Sequence, residues 1–127
     1  MDYNKELWKK YTDENVGIIQ DDQSKFIYFM SVALGAKKTC EVGCNIGNNL
    51  SDFPKNSEVH GFDMSEYALE KAKKRYPSFN FKVGNMNKIP IDDSFFDLVF
   101  TRGVLIHIPS SDIDAGLKEM VRISKKW

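Results

Sequence analysis

With 127 residues, 42% apolar and 28% charged, the chain has the size and composition of one soluble globular domain with a modest core. Eighteen basic against eighteen acidic residues leave no net charge, so no long-range field draws it to nucleic acid or an anionic membrane. No apolar stretch approaches the ~20 residues of a membrane span, and residues 1–6 carry no signal-peptide pattern.

The elements follow in chain order. A first helix is expected over 4–11, with Leu7, Trp8 and Tyr11 on one side, then a loop through Asn15 and Gly17. Asp22 or Ser24 can cap a second helix whose apolar face is Phe26, Ile27, Phe29, Met30, Ala33 and Leu34, with Gly35 as its stop. Residues 39–42 read as a first strand, 47–53 as a short helix ended by Pro54, and 58–63 as a second strand. Ser65 caps a helix carrying Tyr67, Ala68, Leu69 and Ala72, and 79–83 form a third strand. A turn-rich connection over 89–94 leads to 96–101, nearly continuous in apolar residues, as a strand covered on both faces should be. Ser110 or Ser111 caps a last helix with Ile113, Leu117, Met120 and Val121 at helical spacing. Strands alternating with helices predict one α/β domain over 1–127: a parallel sheet of order 3-2-1-4 with helices on both faces. That order places a ligand crevice beside the first strand, where the strand order reverses.

The stretch Glu41-Val42-Gly43-Cys44-Asn45-Ile46-Gly47 follows an apolar run, and Asp63 closes the next such run. A strand, a glycine-bearing turn and a later acidic residue are the layout of a nucleotide-type pocket. A carboxylate at the end of the neighbouring strand can accept hydrogen bonds from ribose hydroxyls. Asn45 stands where a dinucleotide fingerprint has its middle glycine, so a tight pyrophosphate cradle is not built here. A ligand with a ribose but no phosphate fits better, and S-adenosylmethionine is one.

These residues resemble the class I S-adenosylmethionine-dependent methyltransferases. Residues 41–47 look like their first motif and 61–65 like the acidic end of their second strand. Gly84-Asn85-Met86 stands where the family often has Gly-Asp-Ala, and 96–109 resemble the fourth strand and its loop. Trp8 and residues 11–15 are similar to the opening of a subgroup associated with pseudaminic acid biosynthesis, which implies a sugar or sugar precursor as the small-molecule acceptor. The resemblance implies that Glu41 faces the ammonium of the methionine part and that the backbone at Gly43 and Cys44 passes close to methionine and ribose. Asn45 either points away from the ligand or bonds to it. Asp63 takes the ribose hydroxyls and Met64 packs on adenine, while Asn85 and Met86 border the adenine edge. Thr101, Arg102 and Gly103 line the pocket near carboxylate and sulfonium, and Tyr11 closes it from the N-terminal side. S-adenosylhomocysteine would be the product.

The family fold has seven strands, whereas residues 123–127 stand where a fifth would begin, so a shortened or engineered form is expected. It corresponds to the N-terminal half of the family fold. It transfers methyl groups, binds the cofactor without turnover, or is a half-domain that folds but takes no ligand. The open edge of the fourth strand then invites a homo-oligomer. Other residues have plainer readings beside the sharp ones. Cys40 and Cys44 match neither a redox C-x-x-C pair nor a four-ligand zinc set, and read as reduced packing thiols of a cytoplasmic protein. No metal cluster is visible. Asp97 reads as structural, and Phe26, Phe29, Phe95, Phe96 and Phe100 as core. Histidines ordinarily titrate in the range a general base needs, which makes His107 the catalytic candidate against a capping or packing role. Arg102 is a carboxylate partner or a surface residue.

Overall fold

The computed structural model describes residues 4–16 and 22–127. Helices α1 (Lys5–Asn15) and α2 (Asp22–Ala33) precede β1 (Lys38–Val42), followed by β2 (Glu58–Asp63), α3 (Glu66–Arg75), β3 (Asn80–Val83), β4 (Leu98–Phe100) and α4 (Ser110–Ile123). The four strands form one parallel sheet in the order β3-β2-β1-β4. This is the predicted Rossmann-like arrangement.

Helices cover both faces. On one, Val42, Phe62, Met86, Phe96 and Ile123 are buried, with Ile113 and Met120 of α4 packed against them. On the other, Cys44, Leu50, Val59, Leu69, Ala72 and Phe81 form a second layer beneath α3 and α2, with Ile27 and Tyr28 against it. Local chemistry explains most boundaries. Asn4 accepts the Leu7 amide at 3.0 Å and caps α1, and Ser65 accepts the Ala68 amide at 3.2 Å and caps α3. Asp97 accepts the amides of Lys37 and Lys38 at 2.9 and 3.0 Å, tying the start of β4 to that of β1. Arg122 on α4 donates to the carbonyls of Ile89 and Ile91 and to Glu119 and Asp93, pinning the turn-rich connection against the helix.

The differences from expectation have physical reasons. Helix α1 runs on through Asn15, whose side-chain amide donates to the Tyr11 carbonyl at 2.7 Å instead of opening a loop; Gly17 lies outside the described residues. Asp22 starts α2, and Ser24 lies buried within the helix, where it bonds Asp52. Apolar residues run almost all round α2, so periodicity does not select its inner side. The side that packs carries Ser24, Ile27, Tyr28 and Ser31, which leaves Phe26 and Phe29 63% and 65% exposed rather than in the core. Residues 48–50 make a single 3-10 turn, because Gly47 at φ +80° and Pro54 leave no room for an α-helix. Neither Ser110 nor Ser111 caps α4: Pro109 holds the N-cap position and no side-chain cap bond forms. Strand β4 is short and half-buried, not covered on both faces. Residues 125–127 run along its outer side, through bonds from Lys125 to the Phe96 carbonyl at 2.7 Å, from Trp127 to the Asp97 carbonyl at 3.1 Å and from Val99 to the Trp127 carbonyl at 2.9 Å.

Candidate functional site at the ends of the first, second and fourth strands

Strand β1 is central, with β2 on one side and β4 on the other. In register, Glu41 stands between Gly61 and Phe100. The strand order reverses between β1 and β4, which opens the sheet's C-terminal edge at that point. Most of the residues predicted for the pocket lie along this edge or in the loops after it.

The turn after β1 alternates into left-handed backbone at Gly43 (φ +77°), Asn45 (φ +47°) and Gly47 (φ +80°). Glycine adopts this region without penalty, and asparagine tolerates it better than most residues. The space where a Gly43 Cβ would stand is taken by Val104, whose Cγ2 lies 2.3 Å from that point. The loop after β4 therefore leans on the bare backbone of the turn. Gly43 and Cys44 both donate to the Phe62 carbonyl, at 2.7 and 3.0 Å.

Asp63 organises the other side of the turn. Its Oδ2 accepts the Asn45 amide at 2.8 Å and its Oδ1 the Ser65 amide at 2.9 Å. Desolvation raises its pKa, and the backbone bonds from Ser65, Asn45 and Met64 oppose the rise. The Asn45 side chain also works locally. Its Oδ1 accepts the Ile46 amide at 2.9 Å, and its Nδ2 donates to Thr12 Oγ1 of α1 at 3.0 Å.

Glu41 is fully buried. Its Oε1 accepts from Asn49 Nδ2 at 2.6 Å, and the Asn49 carbonyl oxygen accepts from Arg102 Nη1 at 2.7 Å. Its Oε2 is buried without a hydrogen-bond partner. Burial lifts its pKa to about 8; Asn49 pulls the value down, Asp63 pushes it up and Arg102 lowers it again. A chain therefore runs from the exposed Arg102 guanidinium through one amide to an inner carboxylate with a free oxygen.

The remaining predicted residues are placed as follows. Thr101 donates from its hydroxyl to the Val42 carbonyl at 2.8 Å, so that group binds β4 to β1. Gly103 is exposed at φ +72° with open space where a side chain would be. Met64 is half-buried next to Asp63. Asn85 accepts its neighbour Asn87's amide at 3.0 Å, and Met86 is buried in the core against Gly116 of α4. Tyr11 and Trp8 of α1 form an edge-on aromatic cluster with His107, at ring separations of 5.2 to 6.4 Å. Tyr11 and His107 are both exposed. Asn49, Thr12 and Val104 were not read from the sequence as site residues. Only the folded turn brings them to it, and their residue types carry no signal of their own. Among the described residues, no group of three or more His, Cys, Asp or Glu could hold a metal ion, and no helix is long and apolar enough to cross a membrane.

A family model described as "Methyltransferase domain" matches residues 40–126. An uncharacterized methyltransferase of Schizosaccharomyces pombe is 30% identical over 112 residues, which are 77% of this chain and 40% of that protein. The chain thus spans about 40% of the length of this curated relative. Among solved structures, a TehB-like S-adenosylmethionine-dependent methyltransferase from Corynebacterium glutamicum superposes with a TM-score of 0.76 at 21% identity, over 96% of this chain and 69% of that one. Magnesium protoporphyrin IX methyltransferase from Synechocystis, solved with bound S-adenosylhomocysteine, superposes with a TM-score of 0.68 at 20% identity, over 80% of this chain and 50% of that one.

Proposed function

The chain belongs to the methyltransferase-domain family, and on that premise we propose that it binds S-adenosylmethionine where β1, β2 and β4 end and serves methyl transfer to a small-molecule acceptor. The observation that carries the reading is Glu41. A fully buried carboxyl oxygen with no partner is costly and is rarely kept without a use. An ammonium group is the donor it lacks, and Arg102, one amide away, offers a cation for the carboxylate beside that ammonium. The pair fits the amino-acid end of the cofactor.

The other roles follow the same axis. Asp63 takes the ribose hydroxyls with the lone pairs its backbone bonds leave free. Met64 packs on the adenine, with Asn85 and Met86 along its edge. Gly43, Cys44 and Asn45 supply the turn backbone, Thr101 and Gly103 line the sulfonium side, and Tyr11 closes the crevice from α1. When bound, the cofactor supplies an electrophilic methyl group on a sulfonium. The protein's contribution is then to hold two reactants in line and keep water out, and positioning of that kind can supply up to about 7–11 kcal/mol. His107, held edge-on by Trp8 and Tyr11 at the mouth, accepts the proton of an oxygen or nitrogen acceptor. A sugar or sugar precursor is the acceptor the N-terminal residues favour.

A second reading rests on a separate observation: β4 is half-buried and its outer edge is only partly paired. In that reading the chain binds the cofactor without turnover and self-associates through this edge as a homo-oligomer. Titration calorimetry with S-adenosylmethionine and S-adenosylhomocysteine tests the shared premise. Micromolar binding that Glu41→Gln weakens at least tenfold supports it; no heat with either ligand removes it. Methyl transfer to sugar acceptors separates the two readings.

A further inference from the structure

The left-handed Asn45 does more than turn the chain. We infer that Asn45 is a positioning residue that latches helix α1 over the cofactor site through Thr12. This inference rests on the cofactor reading for what lies beneath the helix, but not for the latch itself.

Three bonds leave this one residue. Its backbone amide donates to Asp63 Oδ2 at 2.8 Å, its Oδ1 accepts the Ile46 amide at 2.9 Å, and its Nδ2 donates to Thr12 Oγ1 at 3.0 Å. Thr12 is fully buried, the one described residue of α1 that is, and its hydroxyl passes the chain on to the Trp8 carbonyl at 2.8 Å. Asp63, the turn, α1 and the aromatic cluster at His107 are therefore joined in series. A glycine at position 45 would make the same turn with less strain, since the left-handed region favours it. Glycine would lack two bonds: the local one from the Ile46 amide, which serves only the turn, and the one to α1, which reaches beyond it. The side chain is thus explained by the helix it holds.

The rest of α1 is lightly held. Asp13 accepts from the Tyr67 hydroxyl at 2.6 Å and faces Lys71 at 4.0 Å, while Lys9 lies over the Tyr67 ring; all these groups sit at the surface or only half-buried. Exposed contacts of this type add little stability. The Thr12–Asn45 bond, buried on its Thr12 side, is the central fastening, with the aromatic contacts to His107 on one side and Tyr67 on the other. A helix held this way opens by local unfolding more easily than the sheet does. Closing it orders Tyr11 over the site and, through the Asn45 amide, holds Asp63 in position.

Hydrogen exchange measured by mass spectrometry on the full chain tests the latch, with Asn45→Gly and Thr12→Val as the opening variants and Thr12→Ser as the rescue. Exchange over residues 5–15 should rise about fivefold in the first two, as the loss of one buried hydrogen bond gives. It should stay near wild type in Thr12→Ser, with β1 and β2 unchanged in all. Dissociation of S-adenosylhomocysteine should quicken by a similar factor in the opening variants. Unaltered exchange over residues 5–15 in both opening variants overturns the latch. A rise in exchange with no ligand binding even by wild type leaves the latch standing and removes the cofactor reading instead.

Discussion

Glu41 and Asp63 end neighbouring strands, are both carboxylates, and are both pushed above the usual carboxylate range by burial. Their surroundings differ in kind. Asp63 accepts one backbone amide on each of its oxygens, bonds that the fold itself needs to place. Glu41 receives one side-chain amide and keeps an oxygen with nothing attached. The first carboxylate builds the turn and lends its spare lone pairs to a ligand. The second adds nothing to the fold that a neutral residue could not, and its full worth appears only when a cation arrives. One group is held by the architecture; the other is held against it.

The largest effect that would sharpen this contrast is the pH dependence of stability without ligand. The native pKa of Glu41 is about 8 against an ordinary 4.5, so between these values the folded protein holds a proton the unfolded chain has released. Stability therefore falls as pH rises from about 4.5 to 8 and levels off above. An interval of roughly 3.5 units at about 1.4 kcal/mol each bounds the loss at on the order of 5 kcal/mol. Glu41→Gln should flatten this slope in urea unfolding at pH 5, 6.5 and 8, and should be the more stable protein at pH 8. A wild-type profile as flat as that of the variant would show that burial does not tax this carboxyl. Asp63→Ala should behave in the opposite way. It strands the amides of Asn45 and Ser65, costs about 2–4 kcal/mol, and abolishes binding of the cofactor pair. Unchanged affinity would remove Asp63 from the site.

The next effect concerns the turn that follows the Glu41 strand. Gly43→Ala places a methyl where Val104 already stands, in a backbone region that disfavours it. A loss of roughly 2–3 kcal/mol is expected. Trimming Val104 to Ala in the same chain should recover part of it, because the clash and not the dihedral is the larger share. A double variant no more stable than Gly43→Ala alone would reverse that apportionment.

The sequence revealed these regions unevenly. The Asp63 side was legible because its signals are local: a short apolar run, a capping Ser65 and an acidic residue at a fixed distance from Gly43. The same locality predicted β2 to the residue and the 3-2-1-4 order. What could not be read needed long-range partners. Asn49 reaches Glu41 only because the chain turns at Gly47, and Thr12 reaches Asn45 from 33 residues away. The inner side of α2 was misjudged for a related reason. Apolar residues on nearly every side carry no directional signal, and two buried serines, one bonded to Asp52, settled the orientation.

That misjudged helix yields the smallest expected change in folding stability. Phe26 and Phe29 lie exposed on α2, and Val121 of α4 is 74% exposed. Exposed aromatic side chains on one helix favour contact with another apolar surface. Their replacement should leave the monomer almost unaltered: Phe26→Ser with Phe29→Ser should shift unfolding free energy by less than about 1 kcal/mol, since little area is buried there. The readout that moves is association. In a sedimentation concentration series the wild-type chain should show a species heavier than monomer, and the double variant should shift it toward monomer. A wild type that sediments only as monomer across the range would confine the exposed rings to ordinary surface. It would leave both carboxylates untouched, because the bonds at Glu41 and Asp63 involve neither ring.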